Sequence, residues 1–236
     1  MHGRLILFPV PIGADNINLS LPSYNLDLLN GCRHFIVEEL RTARRFLKHV
    51  GYRHSIDETR FYLLNEHSRS EEIAHYLDPV IQGNDVGLLS EAGLPCIADP
   101  GALITRHAHN LAIEILPLVG PSSLMLALMA SGLNGQQFVF HGYLPVDTHR
   151  RIAAIRSLEQ TAIKTGQTQI FIEAPYRNNQ MLQSLADSCR NDTMICIACD
   201  LTLPSQTIRT LPASQWRTAR LELNLHKRNT VFLIGN

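Results

Sequence analysis

The chain of 236 residues is 45% hydrophobic and 18% charged, with 21 Lys and Arg balanced by 21 Asp and Glu. That length buries a substantial core in one large domain or two small ones, and the neutral balance excludes the global electrostatic footprint of a dedicated nucleic-acid binder. The longest apolar run, 124–130, is too short to span a bilayer, and the stretch 1–11 is too short for a signal peptide, so no membrane partner is expected.

The five cysteines, Cys32, Cys96, Cys189, Cys196 and Cys199, are odd in number and sit mostly in apolar context, as reduced thiols of a cytoplasmic protein do. Cys196 and Cys199 form a C-x-x-C inside a strand-like run. No second cysteine or histidine pair stands at zinc spacing, and no metal is expected.

In chain order, residues 4–9 predict a first strand, ended by Pro9-Val10-Pro11-Ile12-Gly13, a loop able to present its backbone to a ligand. It lacks the glycines of a dinucleotide fingerprint. Residues 20–29 predict a helix closed by Gly31, and 32–37 a second strand leading into Glu38-Glu39-Leu40-Arg41. Residues 42–50 read as a basic helix in which Arg41, Arg44, Arg45 and Lys48 share a face, suited to solvent or to phosphate. A short strand at 61–64 ends at Asn65-Glu66-His67-Ser68, and one helix is expected over 70–82.

Residues 86–89 form a short apolar strand that breaks abruptly into Ser90-Glu91-Ala92-Gly93, after which the loop carries two carboxylates, Glu91 and Asp99, among small and apolar neighbours. This stretch reads as a tight strand-to-helix connection with Asp99-Pro100-Gly101 at the helix start, or as a place where a ligand approaches the backbone. A helix at 104–110 and a strand at 112–117 complete an alternation that argues for a parallel, doubly wound α/β unit. Gly120-Pro121-Ser122-Ser123 then opens a helix over 124–130, with Gly132 beyond its end and N-terminal amides suited to a carboxylate. Strands at 137–141, 168–172, 194–201 and 230–234, with helices at 149–160 and 177–188, suggest a mixed α+β second unit. The expected division is 1–116 and 117–236.

Six motifs in order, Pro9-Val-Pro-Ile-Gly13, Ser90-Glu-Ala-Gly-Leu-Pro95, Ile97-Ala-Asp-Pro-Gly101, Gly120-Pro-Ser-Ser-Leu124, Gly142-Tyr-Leu-Pro145 and Glu173-Ala-Pro-Tyr-Arg177, resemble the tetrapyrrole methylase superfamily of S-adenosylmethionine-dependent methyltransferases. Within it the chain is most similar to the ribosomal RNA small-subunit methyltransferase I branch, which methylates a cytidine ribose 2'-hydroxyl. The resemblance implies a two-domain α/β fold, with a mostly parallel N-terminal sheet, a mixed C-terminal domain and the cofactor in the cleft between them. It implies a cytoplasmic homodimer acting on rRNA or the small ribosomal subunit. It also implies that Pro11, Ile12, Gly13, Ser90, Glu91, Ala92, Ile97, Ala98, Asp99, Pro121 and Ser122 line S-adenosylmethionine, joined by Phe140, His141, Glu173 and Ala174.

The chain departs from the branch pattern at three places. Glu-Asp-Thr-Arg stands here as Glu38-Glu39-Leu40-Arg41, Ser-Asp-Ala-Gly-Thr-Pro as Ser90-Glu91-Ala92-Gly93-Leu94-Pro95, and Asn-Leu after the first glycine as Ala14-Asp15. Altered hydrogen-bonding positions bear on the acceptor more than on the cofactor. Methyl transfer to a hydroxyl needs alignment, exclusion of water and a base. Glu39 and Glu91 are the base candidates, Arg41 a substrate or phosphate contact and His67 a weaker base; alternatively, Glu39 and Arg41 pair with each other at a helix start. Two other readings remain open: a methyltransferase of the same superfamily acting on a tetrapyrrole or other small acceptor, and a cofactor-binding protein with diminished catalysis.

Overall fold

The computed structural model describes residues 2–13, 17, 20–65, 68 and 70–236, so the expectations for Ala14, Asp15 and His67 lie outside the described residues. The chain divides into two compact units, Met1–Ser122 and Ser123–Asn236, where the sequence reading put the boundary after residue 116.

The first unit runs β1 (Arg4–Phe8), α1 (Ser23–Gly31), β2 (His34–Val37), α2 (Leu40–His49), β3 (Arg60–Leu63), α3 (Ser70–Ala74), α4 (Asp78–Ile81), β4 (Val86–Leu89), α5 (Gly101–Asn110) and β5 (Glu114–Pro117). Its strands pair in the order β3-β2-β4-β1-β5, every neighbour parallel. Successive side chains of a strand point to opposite faces, and both faces here are covered. Ile6, Phe8, Phe35 and Val37 pack with Leu29, Phe46 and Leu47 of α1 and α2. Their sequence neighbours Leu5, Ile36, Val86 and Leu88 pack with Val80, Ile104 and Ala108 of α4 and α5. Burial on both sides explains why the strands read as short continuous apolar runs.

The single helix expected over 70–82 is two short ones. Pro79 stands in the first turn of α4, where its missing N–H costs nothing, but in an unbroken helix it would leave the His75 carbonyl unpaired and press its ring against it. The helix expected at 104–110 begins earlier, at Gly101.

The second unit contains α6 (Ser123–Ser131), β6 (Phe138–Tyr143), α7 (Thr148–Thr165), β7 (Thr168–Ile172), α8 (Asn178–Ser188), β8 (Met194–Cys199), β9 (Thr207–Pro212), α9 (Ala213–Ala219) and β10 (Thr230–Gly235). The sheet order is β6-β7-β10-β8-β9, with β6 and β7 parallel and the other neighbours antiparallel. β9 and α9 were not predicted. β9 is an edge strand that is only partly buried, so its apolar alternation is weak. α9 is anchored by Trp216, fully buried, whose Nε1–H donates to the Ile195 carbonyl at 2.9 Å. Cys196 and Cys199 are buried, unpaired thiols of β8. Among the described residues no helix is long and apolar enough to cross a membrane.

Candidate active site

In an open parallel sheet, the crevice beyond the carboxyl ends lies where adjacent strands send their connections in opposite directions. In the first unit that point falls between β2 and β4, which are hydrogen-bonded neighbours. The chain leaves β2 toward β3 on one side and leaves β4 toward β5 on the other. The last paired rung is Val37 with Leu89, so Glu38 and Ser90 are the first residues past the sheet on either side of the crevice.

The loops at this edge are held by main-chain contacts. Val10 N–H donates to the Gly93 carbonyl at 2.9 Å and Gly93 N–H returns a bond to the Val10 carbonyl at 2.8 Å. Gly93 has φ of 79°, and a Cβ there would stand 3.3 Å from the Ile12 side chain and 3.6 Å from the Pro121 carbonyl oxygen. The exits of β1, β4 and β5 therefore converge. Pro11, Ile12, Gly13 and Pro121 are half-buried within this group, and Ser122 follows directly. Ser90, buried, donates its hydroxyl to the Gly93 carbonyl at 3.2 Å. Ala92, Ile97 and Ala98 are exposed, as is Glu91 beside them.

Asp99 closes the loop. Its Oδ1 accepts from the N–H groups of Cys96 at 2.7 Å and Gly101 at 2.8 Å, tying residues 96–101 into the start of α5. Cys96 and Ala98 take the left-handed φ values of 68° and 61° that this closure requires, a conformation costly for residues with a Cβ. Burial raises the Asp99 carboxyl above its ordinary value, and those two N–H groups pull it back.

Three neighbouring carboxylates differ in how they are used. Glu39 is exposed and caps α2: its Oε2 accepts from Thr42 N–H at 2.9 Å and from the Thr42 hydroxyl at 3.2 Å. Main-chain N–H groups of Arg41 and Thr42 hold its carboxyl below the usual range. The Arg41 charge adds to this, while the Arg41 side chain itself is exposed. Glu91 is raised by partial burial and by the Glu39 charge, against hydrogen bonding by Thr42 and the Glu39 main chain and the charge of Arg45. Glu38, half-buried, is pushed up to about 7, first by burial and then by the charges of Asp99 and Glu91, with a hydrogen bond from the Glu91 main chain opposing. Sequence reasoning did not single out Glu38, although it stands directly after a buried strand at the crevice.

In the second unit the predicted residues gather at the carboxyl ends of β6 and β7. A bulge between Phe140 and Tyr143, with Gly142 at φ of 64°, brings Tyr143 opposite Ile172. The His141 ring bonds the Gln169 side chain at 2.8 Å. Glu173 has its side chain only 1% exposed and accepts at Oε1 from Ala174 N–H at 2.7 Å and from the Arg177 guanidinium at 2.6 Å. Among the described residues its Oε2 has no partner and is buried, as are Arg177 Nε, Asn178 Oδ1 and Thr202 Oγ1. A hollow of about 390 Å³ lies elsewhere on this unit, against α8 and residues 220–224, and includes none of the predicted site residues.

Comparison with known proteins bears on the family and the fold. Residues 23–216 match the family model for Tetrapyrrole (Corrin/Porphyrin) Methylases. A protein named Ribosomal RNA small subunit methyltransferase I from Vibrio cholerae is 28% identical over 99% of this chain and 77% of its own length. Proteins of the same name from Pseudomonas aeruginosa and Escherichia coli O157:H7 are 32% and 28% identical, over 90% and 91% of this chain and 71% of each relative. The crystal structure of the methyltransferase CobJ superposes with a TM-score of 0.64 at 17% identity, covering 99% of this chain and 94% of that one, and shares the fold. The chain is a methyltransferase and belongs to the tetrapyrrole (corrin/porphyrin) methylase family.

Proposed function

We propose that this methyltransferase takes its methyl group from S-adenosylmethionine and delivers it to a ribose hydroxyl of ribosomal RNA in the small subunit, acting in the cytoplasm as a homodimer. The observation that carries the reading is the match, over 90–99% of the chain, to relatives named for that RNA. The residues present fit the donor. Glu38, Glu91 and Asp99 cluster at the crevice, a setting suited to a cation such as a sulfonium, and the exposed Ala92 and Ala98 leave the main chain approachable. When bound, S-adenosylmethionine supplies an electrophilic methyl carbon on a positively charged sulfur.

In this reading Pro11, Ile12, Gly13, Ser90, Glu91, Ala92, Ile97, Ala98, Asp99, Pro121 and Ser122 hold the donor, and Phe140, His141, Glu173 and Ala174 supply further contacts. Their work is to fix position and exclude water, which is most of what an in-line displacement asks of a protein. Arg41, exposed at the start of α2, suits an RNA phosphate. Of the basic side chains that follow it, Arg44 lies over the Phe61 ring at 5.7 Å and the Arg45 charge acts on Glu91.

The test is transfer of tritiated methyl to small ribosomal subunits isolated without their native methylation. Label in the RNA, lost on prior addition of S-adenosylhomocysteine, is the expected result. Clear binding of S-adenosylhomocysteine with no label in the RNA refutes the acceptor.

A further inference from the structure

Methylating a hydroxyl requires something to receive its proton, and the crevice offers four carboxylates with unequal commitments. Glu39 spends its side chain on the first turn of α2. Asp99 Oδ1 holds two N–H groups of its own loop. Glu91 is engaged by Thr42, by the Glu39 main chain and by the charge of Arg45. On Glu38 the Glu91 main chain is the only opposing influence and the weakest one, and among the described residues no Lys or Arg forms an ion pair with it. It faces two like charges, Glu91 from the β4 exit and Asp99 from the loop before α5. It is also the first residue beyond the sheet at the β2/β4 switch point.

We propose that Glu38, rather than Glu39, is the catalytic group that accepts the proton of the acceptor hydroxyl. The assignment rests on the methyl-transfer reading above. As the acceptor oxygen bonds to the methyl carbon, the carbon–sulfur bond breaks and its electron pair stays on sulfur as a neutral thioether. The hydroxyl proton passes to the Glu38 carboxylate and from there to water. In the protein without donor, a carboxylate with neighbouring negative charge and no paired Lys or Arg is a stronger base than an ordinary one, raised toward the neutral range where general bases are most effective.

The experiment compares wild type with Glu38→Gln, Glu38→Asp and Glu91→Gln. Glu38→Gln is expected to slow single-turnover methyl transfer by about 10²-fold or more while changing S-adenosylhomocysteine affinity by no more than a few fold. A readout independent of turnover is a titration of carbon-13-labelled glutamate carboxyls by NMR in the protein alone. One resonance is expected to titrate near pH 7, to vanish in Glu38→Gln, and to move to lower pH in Glu91→Gln, because a like charge has been removed. The acid limb of kcat/KM moves with it. Glu38→Asp keeps a carboxylate, and is expected to keep the acid limb of kcat/KM and a reduced rate, so it carries the test if the glutamine variant does not fold. Wild-type turnover in Glu38→Gln, or a pH limb indifferent to Glu91→Gln, overturns the proposal. An active wild type with an active Glu38→Gln removes the base role alone. A wild type that binds S-adenosylhomocysteine but labels no RNA removes the acceptor reading together with it.

Discussion

Replacing Gly120 by alanine probes whether the converging loops form the donor site. The added Cβ would stand 2.1 Å from Pro9 Cβ and 2.4 Å from Pro9 Cγ. Ordinary carbon contacts lie at about 3.5–4.0 Å, so the backbones must part by roughly 1.5 Å. The proline ring cannot rotate away, and the displacement falls on the exits of β1 and β5. Overfilling a packed site in this way costs about 1–3 kcal/mol. Gly132→Ala is the matched control: its φ of 73° is left-handed, and a Cβ there meets nothing within 4 Å. That conformational strain alone costs about 1–2 kcal/mol. Urea denaturation should show both variants destabilised by comparable amounts. Calorimetry at a temperature where both stay folded should show S-adenosylhomocysteine bound about tenfold more weakly by Gly120→Ala, equivalent to about 1.4 kcal/mol, and with unchanged affinity by Gly132→Ala. A destabilised Gly120→Ala that binds as wild type does would refute the placement of the donor at these loops. A fully stable Gly120→Ala would refute the packing argument itself.

Other expectations follow from the same geometry. Glu38 has its folded pKa raised from 4.5 to about 7, so the folded state holds a proton that the unfolded state has lost; its stabilising contribution is complete below about 4.5 and disappears as pH rises through 7. Allowing for solvent screening of a half-exposed group, Glu38→Gln should be more stable than wild type by about 1 kcal/mol at pH 8 in urea denaturation, with the difference shrinking as pH falls toward 5. Trp216→Phe removes the indole donor to the Ile195 carbonyl and leaves space in a fully buried site; a loss of about 1–3 kcal/mol in urea denaturation is expected. A thiol reagent at neutral pH should modify Cys96 first, since it alone among the cysteines is not buried, whereas Cys32 and Cys189 are pushed up to about 12 by burial; mass spectrometry of the labelled protein checks the order.

The first unit was legible because its central strands β1, β2 and β4, buried on both faces, announce themselves as apolar runs cut by Pro, Gly and Ser. The loops that converge are the ones with the least side chain, and Gly93, Pro121 and Ile12 were readable as turns before they were known to touch. Pro79 should have divided 70–82, since inside a helix it removes a hydrogen bond and clashes with the preceding turn. β9 escaped because one face of an edge strand is open to solvent, and α9 because it is short and owes its place to one tryptophan. The choice between Glu38 and Glu39 was the hardest to read. Adjacent residues at a strand exit point to opposite sides, and which one faces the crevice depends on where α2 begins. The pattern Glu39-Leu40-Arg41-Thr42, with a cap three residues before the N–H it satisfies, was the available signal that Glu39 is occupied.

The most direct test of the account is a crystal structure of the chain with S-adenosylhomocysteine. The account predicts the ligand against residues 11–13, 90–92 and 120–122 at the β2/β4 crevice, with the Glu38 carboxylate facing the space beside the sulfur. A ligand seated away from these strand ends, or a sulfur screened from Glu38 by protein, would contradict it.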